Sequence, residues 1–310
     1  MKKKWLMLGG TLGISSVMMI TTGVSAFAST SGYDAYKSAL KNTRTIQNLA
    51  VQASASLQDN GNVLASAAGN FKISLDKQAA SGSADVKANG VTQSVNFYKQ
   101  KDQTVLKSSS NDTYYVQQER DKGKNKNDAK EKETLDPQIS QQVETVIDAL
   151  VGNLKDYVAV DAKTDGSKEI TAQLDNSQLP TVVNAIAPIV IKQASNHERD
   201  GEKKDNNDAK QLPFNRDVLQ GSTPQLTQDI KIEKVSFKAN INDANYIEHQ
   251  EADITVSGKD ASGTAHQVTV HLQANLSGYN TTTPDTIDLS GKKVQQMDNR
   301  HHGKFHDDNE

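Results

Sequence analysis

The chain has 310 residues, no cysteine, and 38 acidic against 35 basic side chains, for a formal net charge of −3. Without cysteine there are no disulfides, no thiolate nucleophile and no thiolate metal centre. The mild acidity argues against binding nucleic acid or an anionic membrane by charge attraction alone.

Met1 to Ala28 has the parts of a secretory signal peptide. Lys2, Lys3 and Lys4 precede an apolar stretch from Trp5 to about Val24, and Ala26-Phe27-Ala28 suits a signal peptidase. Ser29 is then the expected new N-terminus. Cleavage removes three of the 35 basic residues, so the processed chain carries −6. A lipid anchor needs a cysteine at the cleavage point, so the expected product is secreted or held at the exterior of a bacterial envelope. No second apolar run is long enough to span a bilayer, so no transmembrane segment is expected in the mature chain. The single tryptophan, Trp5, lies in the leader, which leaves the processed chain no tryptophan platform for stacking sugars.

Ser31 to about Ile46 reads as a helix. Tyr33, Tyr36, Leu40 and Thr43 fall near helical spacing, Ser31 is a cap, and packing on a sheet is the expected role. A strand meander follows. Leu49, Val51, Ala53, Ala55 and Leu57 alternate with mostly polar partners. Asp59-Asn60-Gly61 and Asn89-Gly90 are hairpin turns, because Asn-Gly accepts the positive φ of a type I′ turn. About six antiparallel strands fit between Asn48 and Gln118.

Residues 120–133 are Lys, Asp, Asn and Glu with no large apolar side chain, a composition expected of a mobile insert. Asp136-Pro137 then opens an apolar-striped helix through Ile139, Val143, Val146, Ile147, Leu150 and Leu154. Tyr157–Val160 and Ile170–Leu174 read as a hairpin. A second apolar helix starts near Asn176 or Ser177, and Pro188 bends or breaks it. Residues 196–210 form a second polar insert. From Ile230 to Leu276 three strands alternate cleanly, with a phase change near Glu233-Lys234 where a bulge belongs. The domain reading is therefore a signal peptide over 1–28, one domain over 29–290 with inserts near 120–133 and 196–210, and a disordered tail over 291–310.

Candidate chemistry is sparse. His249 and Glu251 share a strand face, either as half a metal site or as a base with its orienting acid. Ala252, Ile254 and Val256 hold the opposite face, so the pair looks outward to solvent. His271 also points outward. His301, His302, His306, Asp307 and Asp308 make a flexible His/Asp tail suited to weak capture of zinc or copper without fixed geometry. Ser38-Ala39-Leu40-Lys41 and Ser74-Leu75-Asp76-Lys77 match Ser-x-x-Lys but lack the partner motifs of that chemistry. No nucleophile elbow, His-Glu-x-x-His helix or phosphate loop occurs. The sequence assigns no catalytic residue, no cofactor and no metal ligand.

Three stretches together resemble the bacterial lipoprotein-carrier half-barrel superfamily, which includes periplasmic lipoprotein chaperones and mycobacterial lipid-binding lipoproteins. They are the opening helix from Ser31-Gly32-Tyr33-Asp34-Ala35-Tyr36-Lys37, the long meander, and the closing strands Ile230 to Leu276. The resemblance is architectural and covers most of the processed chain. Element order, with few strands joined by helical crossovers, and the resemblance together point to an α+β fold: a strongly curved antiparallel sheet with helices on its concave face. The function the resemblance implies is that of an exported, non-enzymatic binding protein sheltering an apolar ligand, such as a lipid, or a partner's segment. The alternative is an envelope-associated interaction protein with no small ligand.

Overall fold

A computed structural model describes residues 32–100, 102–118, 155–180 and 224–297. The chain opens with helix α1 (Gly32–Thr43) and continues through β1 (Asn48–Asp59), β2 (Asn62–Ser74), β3 (Ala79–Ala88), β4 (Val91–Gln100), β5 (Gln103–Ser108) and β6 (Tyr114–Gln118). The hairpin β7 (Val158–Ala162) and β8 (Lys168–Asp175) comes next. Then come β9 (Gln228–Ile241), β10 (Ile247–Lys259), β11 (Ala265–Ser277) and the short β12 (Val294–Gln296).

These strands form one sheet in the order β12-β6-β5-β4-β3-β2-β1-β11-β10-β9-β8-β7. Every neighbouring pair is antiparallel except β12, which lies parallel to β6. The six strands expected between Asn48 and Gln118 are present, and so is the hairpin of β7 and β8. Asn60 and Gly61 have φ of 49° and 82°, and Asn89 and Gly90 have 51° and 76°. These are the left-handed values that their turns require. The expected bulge is at Glu233, where pairing skips from Thr255–Lys234 to Val256–Ile232.

The α+β expectation, with helices covering a concave face, is overturned. The protein is nearly all-β, and α1 is the single α-helix among the described residues. The apolar helix read from 137–154 lies outside the described residues. Of the one read from 176 onward, Asn176–Gln178 is a 3₁₀ turn, and the stretch beyond 180 also lies outside them. What joins the structure is the pairing of β1 with β11, running from Ala50–Ser277 to Asp59–Val268. That pairing fuses the early and late meanders into one mixed sheet. Periodicity reports a strand's faces but not its partner, so this join leaves no local signature.

Alternation gives β1 to β4 and β9 to β11 one apolar and one polar face. Helix α1 packs on the apolar face over β8 to β10. Ala39 and Leu40 are buried there with Ile170, Ala239, Ile241 and Ile247. The Tyr36 ring meets Phe237 edge to face, with centroids 5.0 Å apart, and its hydroxyl donates to Gln250 Oε1 at 2.9 Å. Burial pushes the Tyr36 phenol pKa up. The tyrosine thus braces the helix, as the packing reading of its spacing expects.

The first helical turn is pressed against backbone. A Cβ on Gly32 would lie 2.6 Å from the carbonyl oxygens of both Val158 and Ala159. We expect Gly32→Ala to lower the thermal midpoint even though alanine favours helix. The clash should outweigh the propensity gain by about 1 kcal/mol, and a calorimetric melt beside the parent protein checks it.

Residues 278–293 run from the end of β11 across the polar face to β12. Thr282 N–H donates to Asn48 Oδ1 at 2.7 Å, and Asp285 N–H donates to Ser81 Oγ at 2.8 Å. The Asp285 carboxylate meets Lys72 Nζ at 2.8 Å. The hydrogen bond from Lys72 holds the Asp285 carboxyl below its ordinary value. β12 then pairs with β6 within the stretch expected to be a frayed tail. Among the described residues no helix is long and apolar enough to cross a membrane.

Candidate functional site

The apolar face carries a band of small residues. Ala55 and Ala67 are register partners, and Ala65 lies beside them; all three are half-buried. Leu272, Val270 and Ile254, also half-buried, flank the band on β11 and β10. At one end stands an aromatic pair, Phe71 and Phe97, with centroids 5.8 Å apart. Buried Val51, Ala53 and Ala84 pack with it. At the other end Leu226, Ile230 and Val268 form a separate cluster with Leu57 and Val256. Methyl side chains between larger ones make this band half-buried apolar surface.

The polar face is organised by register. Ser236, Asp253, His271, Ser56, Ser66, Lys87 and Thr92 stand in one row across β9, β10, β11, β1, β2, β3 and β4. A shallow groove of about 330 Å³ follows that row. Ser54, Ser56, Ser66 and Ala68 floor it, His271 stands on one side, and Asp85, Lys87 and Thr92 stand on the other.

Beside the groove stand two hydrogen-bonded histidines, and donor atoms of Glu251, Asp253 and His271 lie within 4.8 Å of one another. The Nδ1–H of His271 donates to Asp253 Oδ1 at 2.7 Å, and Ser236 Oγ donates to Asp253 Oδ2 at 3.2 Å. His249 Nδ1–H donates to Asn275 Oδ1 at 2.7 Å. This leaves His249 Nε2 facing Glu251 Oε2 at 3.5 Å.

A second histidine centre lies at the tips of two hairpins. His266 Nδ1–H donates to Asp59 Oδ2 at 2.8 Å, and its Nε2 is 3.6 Å from Asp260 Oδ2. The side chains of His266 and Asp59 are both only 16% exposed. The Asp59 hydrogen bond holds the His266 pKa above its ordinary value against the opposing effect of burial. Asp260 is held below the usual carboxylate range, chiefly by the Ser262 hydroxyl.

His249, Glu251 and His271 are where the sequence puts them, on the face opposite Ala252, Ile254 and Val256. Sequence reading pairs His249 with Glu251 and takes His271 alone, whereas the structure sets His271 beside Glu251 and adds Asp253. The missed signal is the β10–β11 turn, whose register sets Asp253 opposite His271. The role of His266 also went unread, because its partner Asp59 belongs to a distant hairpin. Ser38 and Ser74 of the two Ser-x-x-Lys matches are held in structural hydrogen bonds. Asn245 Nδ2 donates to Ser38 Oγ at 3.1 Å, and Ser74 Oγ donates to Asp76 Oδ1 at 2.6 Å. His197 and the tail residues His301, His302 and His306 lie outside the described residues.

No known protein family matches the chain, and no curated protein matches it. Among solved structures, a putative thioesterase II from Thermobifida fusca YX aligns at 8% identity over 83% of this chain and 90% of that one. Its TM-score is 0.12, a likeness too slight to bear on fold or activity.

Proposed function

We propose that this is an exported, non-enzymatic binding protein that shelters an apolar ligand against the apolar face of its sheet. The observation that carries the reading is the half-buried alanine band at Ala55, Ala65 and Ala67, flanked by Leu272, Val270, Ile254 and the Phe71–Phe97 pair. Apolar area left in contact with water is the driving force such a ligand removes, at about 25 cal/mol per Å². The lipoprotein-carrier resemblance points to acyl chains as the ligand class. Export follows from the leader, and N-terminal sequencing of protein from the native host should read from Ser29.

Organic extracts of protein purified from that host, analysed by mass spectrometry, are expected to contain an acyl-bearing lipid in a fixed ratio to protein. Ala67→Phe, which covers the small-residue band, should cut that ratio severalfold while leaving the far-ultraviolet circular dichroism unchanged. Extracts free of lipid from a folded parent protein would sink the proposal and favour the envelope-interaction alternative.

A further inference from the structure

We infer that the groove between His271 and Lys87 on the polar face is a binding site for a short, uncharged saccharide, independent of the apolar ligand. Register builds it. Ser56 on β1 and Ser66 on β2 are direct partners, and Ser54 is the next residue of β1 on the same face. The longer His271 stands opposite Ser56 on β11, and the longer Lys87 opposite Ser66 on β3. Short side chains on two central strands thus lie between long ones on the strands outside them. The resulting space of about 330 Å³ is at the lower end of the range for small-ligand sites, about 300–1,000 Å³. It suits a short saccharide better than a lipid.

Three observations point to a ligand rich in hydroxyls. First, the polar groups lining the groove are uncommitted. Elsewhere on this face hydroxyls are paired: Ser81 Oγ accepts the Asp285 N–H at 2.8 Å, Thr255 and Thr269 share a bond of 3.2 Å, and Ser257 Oγ donates to Glu233. Among the described residues the side chains of Ser54, Ser56, Ser66, Asp85, Lys87 and Thr92 have no such partner. The three serines are half-buried, so a ligand hydroxyl would satisfy groups partly shielded from water. Second, donors and acceptors are mixed. His271 gives its Nδ1–H to Asp253, which leaves Nε2 as an acceptor. Asp85 accepts, Lys87 donates, and the serine and threonine hydroxyls do both. A sugar hydroxyl also does both, so a polyol can match the whole set. Third, the charges balance. Asp85 and Lys87 are alternate residues of β3, so an anionic ligand is repelled by the first and a cationic one by the second. Among the described residues no phenylalanine, tyrosine or tryptophan lines the groove. Recognition therefore rests on hydrogen bonds, and the expected affinity is about millimolar.

The test is a titration of the isotope-labelled, processed full-length chain with neutral tetrasaccharides of glucose and of N-acetylglucosamine, followed by amide chemical shifts. At least one should give saturable shifts centred on Ser56, Ser66 and Lys87. Ser66→Leu, which fills the floor, should abolish them. Asp85→Asn keeps the side chain's size and should weaken binding severalfold with the rest of the amide spectrum unchanged. Tighter binding of the tetramer than of its monomer assigns the ligand to a stretch of a longer chain, and equal binding to a free sugar, both within the proposal. A folded parent that shows no saturable shift with any of these sugars overturns it, as does binding unchanged by both Ser66→Leu and Asp85→Asn. Tighter binding of an acidic tetragalacturonate than of the neutral sugars overturns the uncharged class.

Discussion

Replacing Gly82 by valine is expected to destabilise the protein by about 3 kcal/mol, read as a fall in the urea midpoint. Gly82 lies on β3 directly opposite Phe97 on β4 and Phe71 on β2. A Cβ there would meet Asn70 O at 2.5 Å, Phe71 Cδ1 at 2.6 Å and Phe97 Cε1 at 2.9 Å. The carbonyl is ladder backbone and cannot yield. The two rings lie over the strand because Gly82, and Gly69 beside it, leave them room. Phe71 is 5% exposed, so displacing it also uncovers one of the largest side chains of that cluster. Ser83→Val, one residue along and pointing to the polar face, should cost much less. Equal losses for the two would show that valine on β3, and not the ring contact, sets the penalty.

Removing the imidazole of His266 should be nearly as damaging. His266→Ala leaves the Asp59 carboxylate, 16% exposed, without the donor it meets at 2.8 Å. A buried charged acceptor left unsatisfied costs about 2 kcal/mol. The pH dependence has a definite sign. Because the His266 pKa is raised on folding, the folded state retains a proton that the unfolded chain releases near pH 6.5. The stabilisation is therefore complete below that value and disappears as pH rises through the elevated folded pKa. Asp260 acts in the opposite direction. Its pKa is lowered, so its contribution is present above the ordinary carboxylate range and fades in acid. Denaturant midpoints measured from pH 5 to 9 should decline across the upper part of that range in the parent protein. In His266→Ala the decline should be flatter. A parent profile that rises through neutrality would contradict the clamp.

Much of the strand content was legible because its causes are local. The Asn60-Gly61 and Asn89-Gly90 turns, the alternation of β9 to β11, and the phase break at Glu233 are each set within a few residues. The inward packing of Tyr33 and Leu40 follows the same logic. The errors came from long-range pairing. Nothing in β1 specifies β11 as its neighbour, and nothing in Val294-Gln295-Gln296 announces a parallel partner at Tyr114. Weighting apolar helical stripes at 137–154 and beyond 176 produced an α+β reading for a protein whose described core is almost all sheet. The candidate site was half visible. The outward facing of His249, Glu251 and His271 follows from alternation, but Asp253 joins them only once the hairpin register is counted.

The junction between β1 and β11 also orders events in time. The ribosome delivers Ala50 long before Ser277, its eventual neighbour. Until residues 265–277 emerge, the leading ribbon has one bare flank of unsatisfied amides and carbonyls. Such late-closing topology makes folding slow. The whole sheet can be sealed only after nearly all of the molecule has been made.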